Sequence, residues 1–301
     1  MQAVKQAVLL LAFGAPERIE DVDPFLHLVR GGRPAPRELR EQMRLRYQAI
    51  GGGSPLGALT RRQAEALAER LAGRGWPLPV YWAMRNWRPF IQETLARVKA
   101  EEVERLIVIC LAPQQTRASL GLYHRRVEQA QADLGLKAEL VWATGLHNHP
   151  LLVEAFAEKL SPLAAGRRVV FTAHSVPVRL IEGGDNYDEQ ARGTAAAVAE
   201  RAGLREWDFA YQSQGSTDEA WLGPSVESVI DGYAQQGLRE FVLAPISFVA
   251  DNLEILYDVD IALRDYALRR GLRLLRPQSL NDSPTFIAAL ADIALASLRR
   301  G

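Results

Sequence analysis

One histidine stands where a buried strand should end. The stretch VVFTAHSVPVRL, residues 169–180, runs apolar and β-branched and then delivers His174, Ser175 and Pro177. An imidazole has an ordinary pKa of about 6.5, so it exchanges protons near neutral pH and also ligates metals. Alone, the pattern is equally that of a structural histidine at a strand tip. A second stretch, DNLEILYDVD at 251–260, supplies partners. Asn252 is placed to cap a helix on which Asp251, Glu254 and Asp258, three and four apart, share one face. The helix dipole accounts for acidic residues in a first turn, which covers Asp251 and Glu254 but leaves Asp258 unexplained. The chemical reading is a carboxylate ladder that receives a divalent cation. Imidazole with carboxylate suits iron, manganese or zinc.

A second group of residues has the chemistry of anion binding. The loop YQAIGGGSPLG, 47–57, lacks the Gly-Lys-Ser/Thr of a P-loop, yet its glycines let backbone approach a ligand and Ser54 adds a hydroxyl. Arg30 and Arg33 flank glycines in LVRGGRP, and RLRYQ brings Arg46 beside Tyr47. Arginine forks match carboxylates in bidentate fashion. AMRNWRPF adds Arg85, Trp87 and Arg88. Taken singly, these are equally solvated basic loops and core tryptophans. Together with Phe13 and Trp221 they fit a flat, apolar, polycarboxylated ligand that meets a metal ion, and a porphyrin is such a ligand.

These side chains need a scaffold. Short apolar runs at 7–13, 80–84, 105–112, 138–143, 167–173, 208–213 and 240–247 read as strands, separated by amphipathic segments. TRRQAEALAERLAG places Ala64, Leu67, Ala68 and Leu71 on one helical face, and LYHRRVEQAQADLG does the same with Tyr123, Val127, Ala130 and Leu134. PSVESVIDGYAQQG opens with Pro224 at an expected first helical position and closes on Gly237. Such alternation implies parallel sheets with right-handed crossovers. AFGAP early and FTAHSVP later echo each other, as do CLAPQQ and VLAPIS. The expectation is two similar α/β domains, 1–148 and 149–301, with the last helix free to pack back on the first. Ligands of open α/β sheets bind beyond the carboxyl ends of the strands, where His174, Gln114, Gln212 and Ser247 all fall. A cleft lined by strand-end loops is the geometric expectation.

Composition narrows the class. With 36 basic and 36 acidic residues, no overall field favours nucleic acid or anionic lipid. Cys110 is the only cysteine, so no intramolecular disulfide or four-cysteine cluster exists, and a reducing, cytoplasmic setting is expected. No apolar run reaches the length of a membrane-spanning helix, so no membrane insertion is expected. No extended apolar face stands out beyond the core pattern, and a monomer is expected.

The sequence resembles the ferrochelatase family nearly throughout, in order from LLLAFGAPERIEDVDPFL through YQAIGGGSPL, RNWRPFI, LAPQQTRASLGLY, FTAHSVP and YQSQGSTDEAWLGPSV to FVADNLEILYDVD. The strings AIGGGSPL and FVADNLEILYD are most similar to the soluble bacterial branch that uses coproporphyrin III. The resemblance implies two Rossmann-like domains, each a parallel sheet flanked by helices, with the porphyrin in the cleft between them. It implies that His174 and Glu254 are the catalytic and metal-handling pair, with Asp258 auxiliary. It puts Phe13, Arg30, Arg46, Tyr47, Ser54 and Tyr123 at substrate-binding positions, and Fe2+ enters as substrate. Three positions depart from the family. Phe13 stands where the soluble branch often has a tyrosine, so an oxygen ligand to product iron is lost there. Asn86 and Ala262 stand where an auxiliary metal site has a histidine and a glutamate. One cysteine excludes the iron–sulfur cluster of some relatives. The alternatives are protoporphyrin IX as substrate, another tetrapyrrole or metal, and a non-catalytic tetrapyrrole carrier, which would need neither His174 nor the acidic stripe.

Overall fold

The computed structural model describes residues 4–215 and 219–298. The chain divides into two compact units. The first holds the residues up to Ala112, Arg117–Leu146 and those from Asn281 on; the second holds Pro113–Thr116 and His147–Leu280.

In the first unit, β1 (Gln6–Ala12), β2 (Val80–Met84), β3 (Arg105–Cys110) and β4 (Glu139–Trp142) form a parallel sheet in the order β2-β1-β3-β4. Leu9 sits opposite Tyr81 on one side and Val108 on the other. The residues of β1 from Ala7 to Leu11 are fully buried. A strand covered on both faces reads as a continuous apolar run, which is why AVLLLA shows no alternation. The helix Leu56–Ala72 buries Leu59, Ala64, Leu67 and Leu71 against the sheet. The closing helix Pro284–Leu298 is apolar nearly all round and buried, and it packs on helix Leu56–Ala72 and on β3. Cys110 ends β3 as a buried free thiol; burial pushes its pKa up to about 12 against a smaller opposing pull from Arg85.

The second unit repeats the topology. Its strands β5 (Arg168–His174), β6 (Asp208–Gln212), β7 (Glu240–Pro245) and β8 (Arg273–Leu275) are parallel in the order β6-β5-β7-β8. Phe171 pairs with Phe209, and Val170 with Leu243. Helices Pro150–Ala164 and Tyr187–Arg201 pack on each other. Val170, Ile230, Phe241, Leu243, Ile255 and Val259 belong to one core.

Three local expectations are corrected. Strand β8 was not expected: its three residues, RLL, are too short and too close to arginines for a pattern to register. Pro224 is not the first helical residue. Ser225 caps that helix by accepting from Ser228 N–H at 3.2 Å, and the helix runs Val226–Gln235 with Pro224 ahead of the cap. The segment after Asn252 is not an α-helix but a π-helix, Glu254–Leu263. Spacings of three and four cannot distinguish the two, and π-helices are rare elements that frequently occur at functional sites. Residues 216–218 of the YQSQGSTDEA motif lie outside the described residues.

Candidate active site

His174 is the last residue of β5, one of the two inner strands of its sheet. Its backbone is gripped by side chains: its N–H donates to Ser247 Oγ at 3.1 Å, and its carbonyl accepts from the Tyr187 hydroxyl at 2.8 Å. Beyond the tip, Val176 and Val178 are zipped to Leu222 and Ala220 by bonds of 3.0 and 2.9 Å. The chain therefore cannot swing freely after the histidine. The ring is fixed as well. Nδ1 lies 2.5 Å from the Ser175 carbonyl. A carbonyl only accepts, so Nδ1 carries the hydrogen and Nε2 is left for chemistry.

Nε2 faces Glu254 Oε1 at 3.3 Å, with both side chains about one-third exposed (35% and 37%). Glu254 opens the π-helix, whose start is capped by Asn252 Oδ1 accepting from Ile255 N–H at 3.0 Å. Burial is the largest single influence on the His174 pKa and pulls it down. The hydrogen bond and charge of Glu254, the Ser175 carbonyl and the charge of Asp258 together outweigh it, so the pKa ends above the ordinary value.

The acidic stripe is shorter than its spacing implies. Asp258 accepts from Ser213 Oγ at 2.8 Å, from a residue held at φ +58 just past β6. Asp251 precedes the cap and is turned elsewhere: it accepts from Ser279 Oγ at 2.7 Å and lies 3.5 Å from Arg276. The ladder thus reduces to Glu254 and Asp258. Among the described residues no cluster of three or more His, Cys, Asp or Glu is arranged to hold a metal.

The anion-binding candidates lie in the first unit. The loop after β1 is laced to the loop after β2: Arg85 N–H donates to Ala12 O at 2.9 Å and Asn86 N–H to Phe13 O at 3.0 Å. Gly14 makes this possible, since its φ is +93 and a Cβ would stand 2.8 Å from Trp87 N. Phe13 is left 43% exposed, a large apolar ring facing outward. The Arg85 guanidinium stacks on it at 4.7 Å and on the Tyr123 ring at 4.8 Å, so two of the expected binding residues meet through a cation that the sequence could not assign. Burial lowers the Arg85 pKa and raises that of the buried Tyr123 hydroxyl.

Ser54 is tied to the same region. Its N–H donates to Pro16 O at 2.8 Å, while its hydroxyl accepts from Leu56 N–H at 3.3 Å. Gly53 is forced: a Cβ there would meet Glu17 O at 1.9 Å. Arg46 and the buried Tyr47 lie on helix Arg37–Ala49, and Arg30 follows helix Val22–Val29. Arg44 joins these two helices by a fork on Asp23 at 3.1 and 2.8 Å. Arg30 Nε is buried without a hydrogen-bond partner among the described residues. Such a donor is costly to leave unused. Asn86 Nδ2 is buried and unpartnered in the same sense. Gln114 and Gln212 bond to Thr194 and Thr172 at 2.9 and 2.6 Å, while Gln114 Oε1 and Gln212 Nε2 are also buried without a hydrogen-bond partner among the described residues.

Comparison with known proteins agrees across the chain. A profile of the ferrochelatase family matches residues 5–298. A ferrochelatase of Acidobacterium capsulatum is 41% identical, covering 98% of this chain and 95% of the relative. A coproporphyrin III ferrochelatase of Mycolicibacterium vanbaalenii is 35% identical, covering 98% and 91%. Among solved structures, SirB from Bacillus subtilis with Fe3+ has a TM-score of 0.63 at 10% identity, covering 98% of this chain and 96% of that one, which speaks for the fold. No helix among the described residues is long and apolar enough to cross a membrane. A match of this extent, on a chain with this pair of parallel sheets, identifies the protein as an enzyme of the ferrochelatase family, whose reaction is metal insertion into a porphyrin.

Proposed function

We propose that this enzyme inserts ferrous iron into coproporphyrin III, giving coprohaem, with His174 and Glu254 as the proton- and metal-handling pair. The observation that carries the proposal is the pair itself: a fixed imidazole whose Nε2 lies 3.3 Å from Glu254, at the carboxyl end of an inner strand.

Two pyrrole N–H protons must leave as the metal enters. With Nδ1 donating to Ser175, only Nε2 of His174 accepts a proton. A neutral Nε2 presents its lone pair to a carboxylate, which is unfavourable, whereas an imidazolium there gains a charge-assisted hydrogen bond. The pair therefore has a raised appetite for one proton, shared between its members. Glu254 holds the imidazole in place and supplies a hard oxygen to the incoming iron. Asp258, whose negative charge reaches His174, adds to the field that draws a cation and a proton to this end of the π-helix.

In the first unit, Arg30, Arg46, Tyr47, Ser54 and Tyr123 are proposed to hold the substrate's carboxylates, and Phe13 to meet its apolar face. The match of an arginine fork to a carboxylate supports the first assignment, and the exposed Phe13 ring supports the second. Four carboxylates on coproporphyrin III give these donors more to bind than the two of protoporphyrin IX.

The test is anaerobic insertion of Fe2+, followed by absorbance, with the two porphyrins compared. Faster turnover of coproporphyrin III is expected. Preference for protoporphyrin IX would overturn the substrate assignment. In the same assay His174→Ala should lose insertion by about 100-fold or more, the usual range for a missing general base, while still binding porphyrin. Turnover at the parent rate would remove His174 from the mechanism.

A further inference from the structure

The π-helix that presents Glu254 is not held by its own first turn alone. Arg276 follows directly after β8, the short edge strand. Its side chain is only 12% exposed, and all three of its guanidinium nitrogens are engaged. Nε donates to Asp260 Oδ1 at 2.8 Å and Nη2 to Asp260 Oδ2 at 2.6 Å, a bidentate fork. Nη1 donates to Pro277 O at 2.9 Å, with Ser279 Oγ at 3.4 Å and Asp251 Oδ1 at 3.5 Å. Ser279 closes the ring by donating to Asp251 at 2.7 Å.

This arrangement brackets Glu254. Asp251 lies three residues before it, ahead of the Asn252 cap, and Asp260 lies six residues after it, inside the π-helix. One guanidinium thus fixes the entry and the middle of an element whose hydrogen-bonding pattern is rare and seldom extends far. Arginine suits the task because its planar fork sets both distance and orientation, which a lysine ammonium does not. Arg276 is remote from the imidazole in role: its partners are Asp251, Asp260, Ser279 and the Pro277 carbonyl, and none of these is His174 or Glu254.

We propose that Arg276 is a positioning residue for metal insertion: its clamp on Asp251 and Asp260 holds the π-helix in the register that keeps Glu254 against His174 Nε2. The proposal rests on the assignment of His174 and Glu254 to the reaction. It states which part of the second unit makes their 3.3 Å approach reproducible.

The experiment is a double-mutant cycle on the intact enzyme with Arg276→Gln, Asp260→Asn and the pair together. Steady-state insertion of Fe2+, porphyrin affinity by absorbance titration, and amide hydrogen exchange over residues 254–263 are read on each. Misplacing a reacting group by about 1 Å costs up to about 100-fold in rate. Each single variant should lower kcat about 10- to 100-fold, leave porphyrin affinity within twofold, and speed exchange of the π-helix amides. The double variant should cost less than the two single effects summed, since the Arg276–Asp260 fork is lost in all three, although Arg276→Gln also releases Asp251 and Asp260→Asn also weakens the Arg264 contact at 3.2 Å. Asp260→Asn, nearly isosteric, keeps the test informative if Arg276→Gln folds poorly. The proposal is overturned if kcat stays within twofold of the parent in Asp260→Asn, or if exchange over 254–263 is unchanged. Failure of the underlying reading looks different: His174→Ala and Glu254→Gln would then insert iron at the parent rate while the clamp variants still quickened exchange.

Discussion

Tyr187→Phe isolates how the histidine is aimed. The Tyr187 ring is buried, with 4% of its surface exposed, and the substitution keeps that ring and removes one oxygen. No cavity opens, so the cost reduces to hydrogen bonding. The lost O–H donates to the His174 carbonyl at 2.8 Å, and Ser247, which holds the His174 N–H, hydrogen-bonds the same hydroxyl. Burial, the largest influence on Tyr187, raises its pKa, so at neutral pH the group is a donor. A net hydrogen bond is worth roughly 0.5–1.5 kcal/mol, but an acceptor left buried and unpaired costs about 1–3 kcal/mol. The carbonyl at the end of β5 belongs to the second case. Urea unfolding should therefore register a loss of about 1–3 kcal/mol with an unchanged denaturant slope. Catalysis should suffer too, because Ser175 O, which fixes the ring through Nδ1, sits one residue beyond the released carbonyl. The expected result is a fall in kcat of at least about threefold, with porphyrin affinity unchanged, since a small misplacement of a reacting group is costly in rate. A variant within about 0.5 kcal/mol of the parent and within twofold in kcat would refute the reasoning, because the carbonyl would then be satisfied without Tyr187.

Other expectations follow from single features. Glu254→Gln removes the main influences that raise the His174 pKa, so the acid limb of the pH–rate profile should move to lower pH while the maximum rate falls. The same substitution should erase a stability contribution that is fully present below the ordinary histidine pKa of about 6.5 and lost as pH rises through the raised folded value. Thermal unfolding at two pH values reads it: the variant's deficit should be larger at pH 5.5 than at pH 9. Gly53→Ala drives a Cβ into Glu17 O and should cost about 2 kcal/mol or more, measured by chemical denaturation, with loss of soluble protein as the extreme case. Gly193→Ala, on the exposed face of helix Tyr187–Arg201 with nothing within 4 Å, should instead stabilise by about 0.5–1 kcal/mol.

The sheets were legible because parallel strands buried on both faces write themselves as apolar runs. All seven runs correspond to strands, most with their ends shifted by a residue or two, as at Phe13, His174 and Ser213. Strand β8 left no such trace, and with it Arg276 went unseen. A lone arginine after RLL is indistinguishable from a solvated one until its partners are known. The histidine–glutamate pair was legible from residue type plus family resemblance. Asp251 was not, because a spacing of three says which face a residue would share on a helix, not whether the helix has begun. Nor does any spacing announce a π-helix, whose first turn borrows the same Asn cap. Arg85 stood in a visible motif, yet its stacking between Phe13 and Tyr123 joins segments far apart in sequence. Tyr187 and Ser247 share that difficulty, since their bonds to His174 are set by tertiary approach and leave no local pattern.

Cys110 gives the first unit a clock. The thiol ends a buried strand and is held protonated by its surroundings, so in the closed state it is both shielded and unreactive. A thiol-labelling reagent can reach it only when the strand that carries it is uncovered. With one cysteine in the chain, every labelling event reports that single location. At saturating reagent the reaction rate becomes the opening rate of the first sheet, and at low reagent it becomes the opening equilibrium. Repeating the measurement with porphyrin bound turns ligand affinity into a change in that rate, without a label having to be engineered in.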